Sequence, residues 1–165
     1  MNTLLIGNTV SMIGCLIMVG IGLLKKKSHI LIAQSFQCAF MGLGNLILGG
    51  VSGFTANVIS ILRNLVFGRY AVTVPLKLGF IAAQLLLSLS ALGSGIISWI
   101  PVVANGIFTW FLDTKSEITL KLVIIATLVM WLVYDLCHHN YVSAAFDVMT
   151  MCSNCIGLYM IRKNP

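Results

Sequence analysis

The sequence predicts an all-α membrane protein: seven transmembrane helices forming two parallel three-helix bundles joined by a linker helix (3-1-3), N-terminus outside and C-terminus cytoplasmic. Three observations lead there. With 59% hydrophobic and 8% charged residues and a mean hydropathy of +1.02, the chain departs far from the roughly 25% charged usage of soluble domains. Its ten Lys and Arg residues fall into four groups separated by apolar stretches. A polar triplet, Asn57, Ser60 and Asn64, returns ninety residues later as Asp147, Thr150 and Asn154.

The basic groups set the number of spans. Lys25 to Lys27, then Arg63, Arg69 and Lys77, then Lys115 and Lys121, then Arg162 and Lys163 leave gaps that each hold two short helices, with one more before Lys25. If every group is cytoplasmic, as the positive-inside rule prefers, seven helices start outside and end inside. A net charge of +6 distributed this way is a topology signal, and nucleic acid is not an expected partner.

The first span, 4–24, begins with the uncharged Met1-Asn2-Thr3 and ends at three lysines, so it reads as a retained helix and not a cleaved signal. Spans 30–48 and 54–69 meet at Gly49-Gly50-Val51-Ser52-Gly53, a turn-like breaker. The span 76–93 is the linker. Spans 97–112, 118–138 and 142–161 complete the second unit, with breakers at Gly93-Ser94-Gly95 and His139-Asn140-Tyr141. The chain is thus one domain, 1–165, divided into units 1–69 and 97–165 around the linker.

Spacings of three and seven place each triplet on one helical face. The same offset maps Asn45 onto Asp135, although only Leu46/Leu136, Val58/Val148 and Asn64/Asn154 are identical between 45–69 and 135–159. It is a repeat of polarity more than of sequence. A carboxylate inside a transmembrane helix costs about 2.5 to 3.5 kcal/mol on the insertion scale, so Asp135 and Asp147 should face a cavity or a partner. By depth, Asn45, Asn57, Asp135 and Asp147 form an outer polar layer, and Asn64 with Asn154 an inner one about 10 Å deeper. These six are the candidate substrate-binding residues. Amides that donate and accept suit a small polar solute; the competing reading is interhelical hydrogen bonding worth about 0.6 kcal/mol each.

Gln34, Cys38, Met41 and Asn45 share a stripe, echoed in the later unit by Ile124, Leu128, Trp131 and Asp135, which implies an asymmetric cavity. Arg63 lies well round the helix from the Asn57, Ser60 and Asn64 face, and its long stem is expected to snorkel to the cytoplasmic surface as an anchor, an anion contact being the alternative. Cys152-Ser-Asn-Cys155 supplies two ligands at most, and His138 and His139 sit too far from it to share an ion. No metal site, cofactor or catalytic nucleophile with its base is expected, and the chain is read as no enzyme. An intramembrane redox or metal protein would depend on Cys152, Cys155 or His139.

The stretch Gln34 to Arg69, with Gln-x-x-Gln-Cys-Ala-Phe-Met-Gly-Leu-Gly-Asn-Leu-Ile-Leu-Gly-Gly followed by Asn57 and Ile61-Leu62-Arg63-Asn64, resembles the YgjV family of small bacterial inner-membrane proteins. That family is distantly similar to the SWEET and PQ-loop transporters, whose seven helices form two parallel triple-helix bundles joined by a linker. The resemblance implies a multi-pass protein of the bacterial inner (plasma) membrane. By position, Asn57 with Asp147, or Asn64 with Asn154, match the pair of Asn residues that faces the solute in SWEET-type transporters. The Pro-Gln motif is absent and the only prolines are Pro75, Pro101 and Pro165, so Gly42, Gly44 and the glycine turns are the hinge candidates. The expected function is a SWEET-like carrier or facilitator for a small polar solute; the alternative is a non-transporting membrane receptor, scaffold or assembly partner. The expected partners are the lipid bilayer and that solute, and Gly- and Ala-rich faces leave a homo-oligomer open.

Overall fold

The computed structural model describes residues 2–21, 27–89, 95–114 and 116–163. Among them run seven α-helices and no strand: α1 Thr3–Ile21, α2 Lys27–Ile47, α3 Val51–Arg69, α4 Val74–Leu89, α5 Ile100–Phe111, α6 Glu117–Cys137 and α7 Tyr141–Lys163. The expected Lys25 and Lys26, Gly93-Ser94 and Lys115 lie outside the described residues. One expected span is interrupted. In place of a continuous helix over 97–112, a 3-10 turn, Ile96–Trp99, precedes α5, because Pro101 in the first turn of α5 lacks the N–H that an α-helix continuing through it would need. Pro75 stands likewise in the first turn of α4.

The two tight turns end their helices in the same way. Gly49 has φ +85° and His139 φ +58°. After α2, the Gly50 amide donates to Asn45 O (2.7 Å) and the Gly49 amide to Leu46 O (3.1 Å); after α6, the Asn140 amide donates to Asp135 O (2.9 Å) and the His139 amide to Leu136 O (3.2 Å). This pairing is the Schellman closure, in which a left-handed residue lets the final carbonyls find donors.

Burial is inverted relative to a water-soluble bundle. Eighteen polar or charged residues are buried among the described ones, against ten hydrophobic residues, while Leu5, Leu16, Leu86, Ile96, Met149 and Ile156 are exposed. In water that arrangement would waste apolar burial and desolvate amides; in lipid it is the stable one, since hydrocarbon solvates the leucines and the interior satisfies the polar groups. Residues 51–69 and 118–137 are long and apolar enough to cross a membrane by length and composition; the other apolar helices are shorter.

Consecutive helices pack within α1–α2–α3 and within α5–α6–α7, α4 lies against α3 and α5, and contacts of α3 with α5 and α1 with α7 close a ring of six helices. Direct hydrogen bonds place both tight turns at one end of this ring. Asn140 Nδ2 donates to Asn45 Oδ1 (3.0 Å), and the Gly53 amide donates to the Tyr134 hydroxyl (2.8 Å). Asn8, near the start of α1, donates to His139 O (3.0 Å) and accepts from the Val142 amide (3.1 Å). Helices α1, α3 and α7 therefore all begin at this end. At the opposite end Lys77 Nζ, in the first turn of α4, forms an ion pair with Asp113, just beyond α5, and donates to Trp110 O (2.9 Å).

Candidate functional site: a polar cavity inside the helical ring

All six ring helices contribute to one cavity of about 310 Å³, near the lower end of the volumes typical of small-molecule sites. Helical spacing explains which side chains reach it. On α2 the wall is Gln34, Cys38 and Met41, and on α6 it is Ile124, Leu128, Trp131 and Asp135, the two stripes expected from steps of three and four. From α3 come Asn57, Ser60, Arg63 and Asn64, and from α7 Asp147, Thr150 and Asn154.

Five of the six candidate residues thus line one space: Asn57, Asn64, Asp135, Asp147 and Asn154. Asn45, expected beside them in the outer layer, stands outside it. Its side chain is 1% exposed and is engaged with Asn140 at the joined turns, where Gly53 leaves room for its amide. The same turn-end layer includes Tyr134, whose hydroxyl also accepts from the Ser52 hydroxyl (3.2 Å) and whose ring stacks on His138 at 4.2 Å. That layer is packed shut: Asn45, Ser52, Tyr134, Asn140 and Ser143 are all buried, whereas Gln34, Ile124 and Asn154, at the other end of the cavity, are partly exposed.

The two carboxylates are set apart from the amides by what they lack. Asp135 and Asp147 are 1% and 4% exposed, and Asp135 Oδ1 and Asp147 Oδ2 are buried with no hydrogen-bond partner. Buried oxygens of this kind are rare in stable folds. The amides are committed to their own helices: Asn57 Nδ2 donates to Gly53 O (2.8 Å) and Asn154 Nδ2 to Thr150 O (2.9 Å).

The structure corrects the placement of Arg63. Instead of snorkelling to the surface, it is 3% exposed and turned into the bundle. Its Nη1 donates to Asn105 Oδ1 (2.8 Å) and to Thr109 Oγ1 (2.9 Å), Nε and Nη2 reach Asn64 Oδ1 at 3.4 and 3.3 Å, and the guanidinium lies over the Phe108 ring at 5.1 Å. Acceptors and a ring face on the neighbouring helix replace the water that the surface would have supplied.

Asn105 is the residue that sequence reasoning missed. Its Oδ1 also accepts from the Ser60 hydroxyl (3.0 Å), and its Nδ2 donates to Gln84 Oε1 (3.0 Å) and Ala56 O (3.2 Å). It therefore ties α3, α4 and α5 together. The available signal was polarity inside apolar spans: Asn105 with Thr109, and Gln84 with Ser88, are each four residues apart, on one face.

Among the described residues no group of three His, Cys, Asp or Glu side chains is placed to hold a metal ion. Cys152 and Cys155 are exposed on α7, away from the cavity, while Cys38 is on its wall. The model of the Imp-YgjV family, described as a bacterial inner membrane protein, matches residues 5–165. The chain belongs to that family. No curated protein and no solved structure matches it.

Proposed function

We propose that this bacterial inner-membrane protein is a SWEET-like carrier or facilitator, without a catalytic step, that moves a small polar solute through its central cavity. The observation that carries the reading is the cavity itself: a space about 310 Å³ in volume with unpartnered buried carboxylate oxygens, walled by helices from both halves of the chain.

A 3-1-3 architecture is supported by arithmetic on the helix bounds. Adding ninety to the end of α2, Ile47, returns the end of α6, Cys137, and the same shift takes the start of α3, Val51, to that of α7, Tyr141. It also maps the left-handed Gly49 onto His139 and one set of turn hydrogen bonds onto the other. The ring contacts α3 to α5 and α7 to α1 correspond under it as well, with α4 left over as the linker. Parallel repeats about an axis along the membrane normal have this form.

Orientation follows from charge. Lys27, Arg69, Lys77, Lys121 and Lys163 all lie near the helix ends opposite the joined turns, so the positive-inside rule puts the turns and the N-terminus outside. The described conformation is then closed outward by the Asn45–Asn140 and Gly53–Tyr134 contacts. Alternating access requires those contacts to break.

Uptake into proteoliposomes by the wild type and Tyr134→Phe tests this. The substitution removes the phenol oxygen that accepts from Gly53 and Ser52, so a carrier should show a changed uptake rate with binding retained. A receptor or scaffold would show no uptake in either form, only a loss of stability in the variant, and that outcome would sink the transport reading.

A further inference from the structure

Two carboxyl groups and a guanidinium stand on the cavity wall at two depths. Asp147 is the seventh residue of α7 and Arg63 the thirteenth of α3, and both helices begin at the joined turns. At about 1.5 Å per residue the Arg63 backbone is roughly 9 Å deeper than that of Asp147. A helical side chain leans back toward its N-terminus, which brings the guanidinium up to Asn105, the partner it shares with Ser60. The two poles therefore face one cavity at different depths. No ion pair joins them: among the described residues the salt bridge is Lys77 with Asp113.

Each pole lacks something specific. At the turn end, Asp135 Oδ1 and Asp147 Oδ2 are acceptors without donors, and Trp131, one turn from Asp135, adds an aromatic face to the same wall. Two carboxylates beside an indole suit an ammonium group, which offers three donors and a compact positive charge. At the deeper pole, Arg63 places four of its five N–H donors on neutral acceptors, and among the described residues no carboxylate pairs with the guanidinium.

We propose that the cavity binds a small zwitterion, with its ammonium group on Asp135, Asp147 and Trp131 and its acidic group toward Arg63. The claim rests on the solute-carrier reading and names its substrate class. A neutral sugar would leave both poles unmatched, a simple amine would leave Arg63 unbalanced, and a simple acid would leave the carboxylates without donors. In a water-poor interior each mismatch is costly, so recognition should require both charges on one molecule.

The test is thermal unfolding of the full chain in nanodiscs with glycine, γ-aminobutyrate and ε-aminocaproate, which differ in charge spacing, alongside propylamine, propionate, glucose and sodium chloride. A ligand of the folded state alone raises the apparent stability with concentration. At least one amino acid should raise Tm dose-dependently while propylamine, propionate, glucose and sodium do not, and Asp147→Asn should abolish the shift. Arg63→Lys, which keeps the charge, should retain a weakened shift, and Arg63→Gln should lose it. Should Arg63→Gln fail to fold, Asp147→Asn and Arg63→Lys decide alone. The proposal is overturned if none of the amino acids shifts Tm, if propylamine, propionate, glucose or sodium matches them, or if the shift survives Asp147→Asn. Proteoliposome uptake separates the two claims: an amino-acid shift without uptake keeps the zwitterion site and ends the carrier reading, whereas uptake of glucose keeps the carrier and ends the zwitterion site.

Discussion

At the scale of the residue, two positions concentrate the energetics. Asn105 is the acceptor for Ser60 and Arg63 and a donor to Gln84 and to α3. Replacing it with Ala strips a buried cation of its shortest hydrogen bond, and hydrogen bonds to charged groups are worth about 1.5 to 3 kcal/mol. Asn105→Ala should therefore lose at least that much stability, measured by unfolding in mild detergent, with Asn105→Asp better tolerated because it restores an acceptor. Gly53 is constrained by space. An added Cβ would meet Tyr134 Cε1 at 2.6 Å and Asn45 Nδ2 at 2.8 Å, so Gly53→Ala should cost on the order of 1 to 3 kcal/mol by overpacking and splay the joined turns. The control is Gly106→Ala, where nothing lies within 4 Å; it should be neutral or slightly stabilising in the same assay, since α5 loses a glycine.

At the scale of the element, α4 shows how a helix outside the ring is held. It meets α3 and α5 through Gln84 and through Lys77, which pairs with Asp113 and lies 5.7 Å from the centre of the Trp110 ring. The Lys77 hydrogen bond holds the Asp113 carboxyl below its ordinary range. A carboxylate with a depressed pKa stabilises the fold fully above its unfolded value of about 4 and loses that contribution as pH falls through the folded value. Thermal unfolding at stepped pH should show the wild type more stable than Asp113→Asn at neutral pH, with the two converging below about pH 4. The effect should be modest, since Asp113 is 44% exposed.

For the whole molecule, the proposed seven-span topology puts the termini on opposite sides of the membrane. With the basic helix ends inside, as proposed, a fluorescent reporter fused after Lys163 should be active in the cytoplasm, and a periplasm-dependent reporter before Thr3 should also be active. Activity of both reporters on the same side would refute the seven-span reading. The proposed carrier has a mechanical corollary. The turn end of the ring is pinned by side-chain contacts between the halves, so under that proposal loosening them should change which end is open, a coupling that a rigid scaffold would not show.

Much of this protein was determined by its sequence alone. Helix number was legible because lipid demands long apolar runs, and the breakers at Gly49-Gly50 and His139-Asn140 interrupt them; the 3-10 turn ahead of α5 was not. The wall of the cavity was legible too, because a helix repeats every 3.6 residues whatever it packs against: Gln34, Cys38 and Met41, and Ile124, Leu128, Trp131 and Asp135, fell on their faces as spaced. What only the tertiary structure decided was pairing. Asn45 went to Asn140 and not into the cavity, Arg63 turned inward, and Asn105 became the hub of three helices. A long or amphipathic side chain has several partners within reach, and which one it takes depends on the acceptors that other helices happen to place there, a distance that periodicity along one helix does not encode.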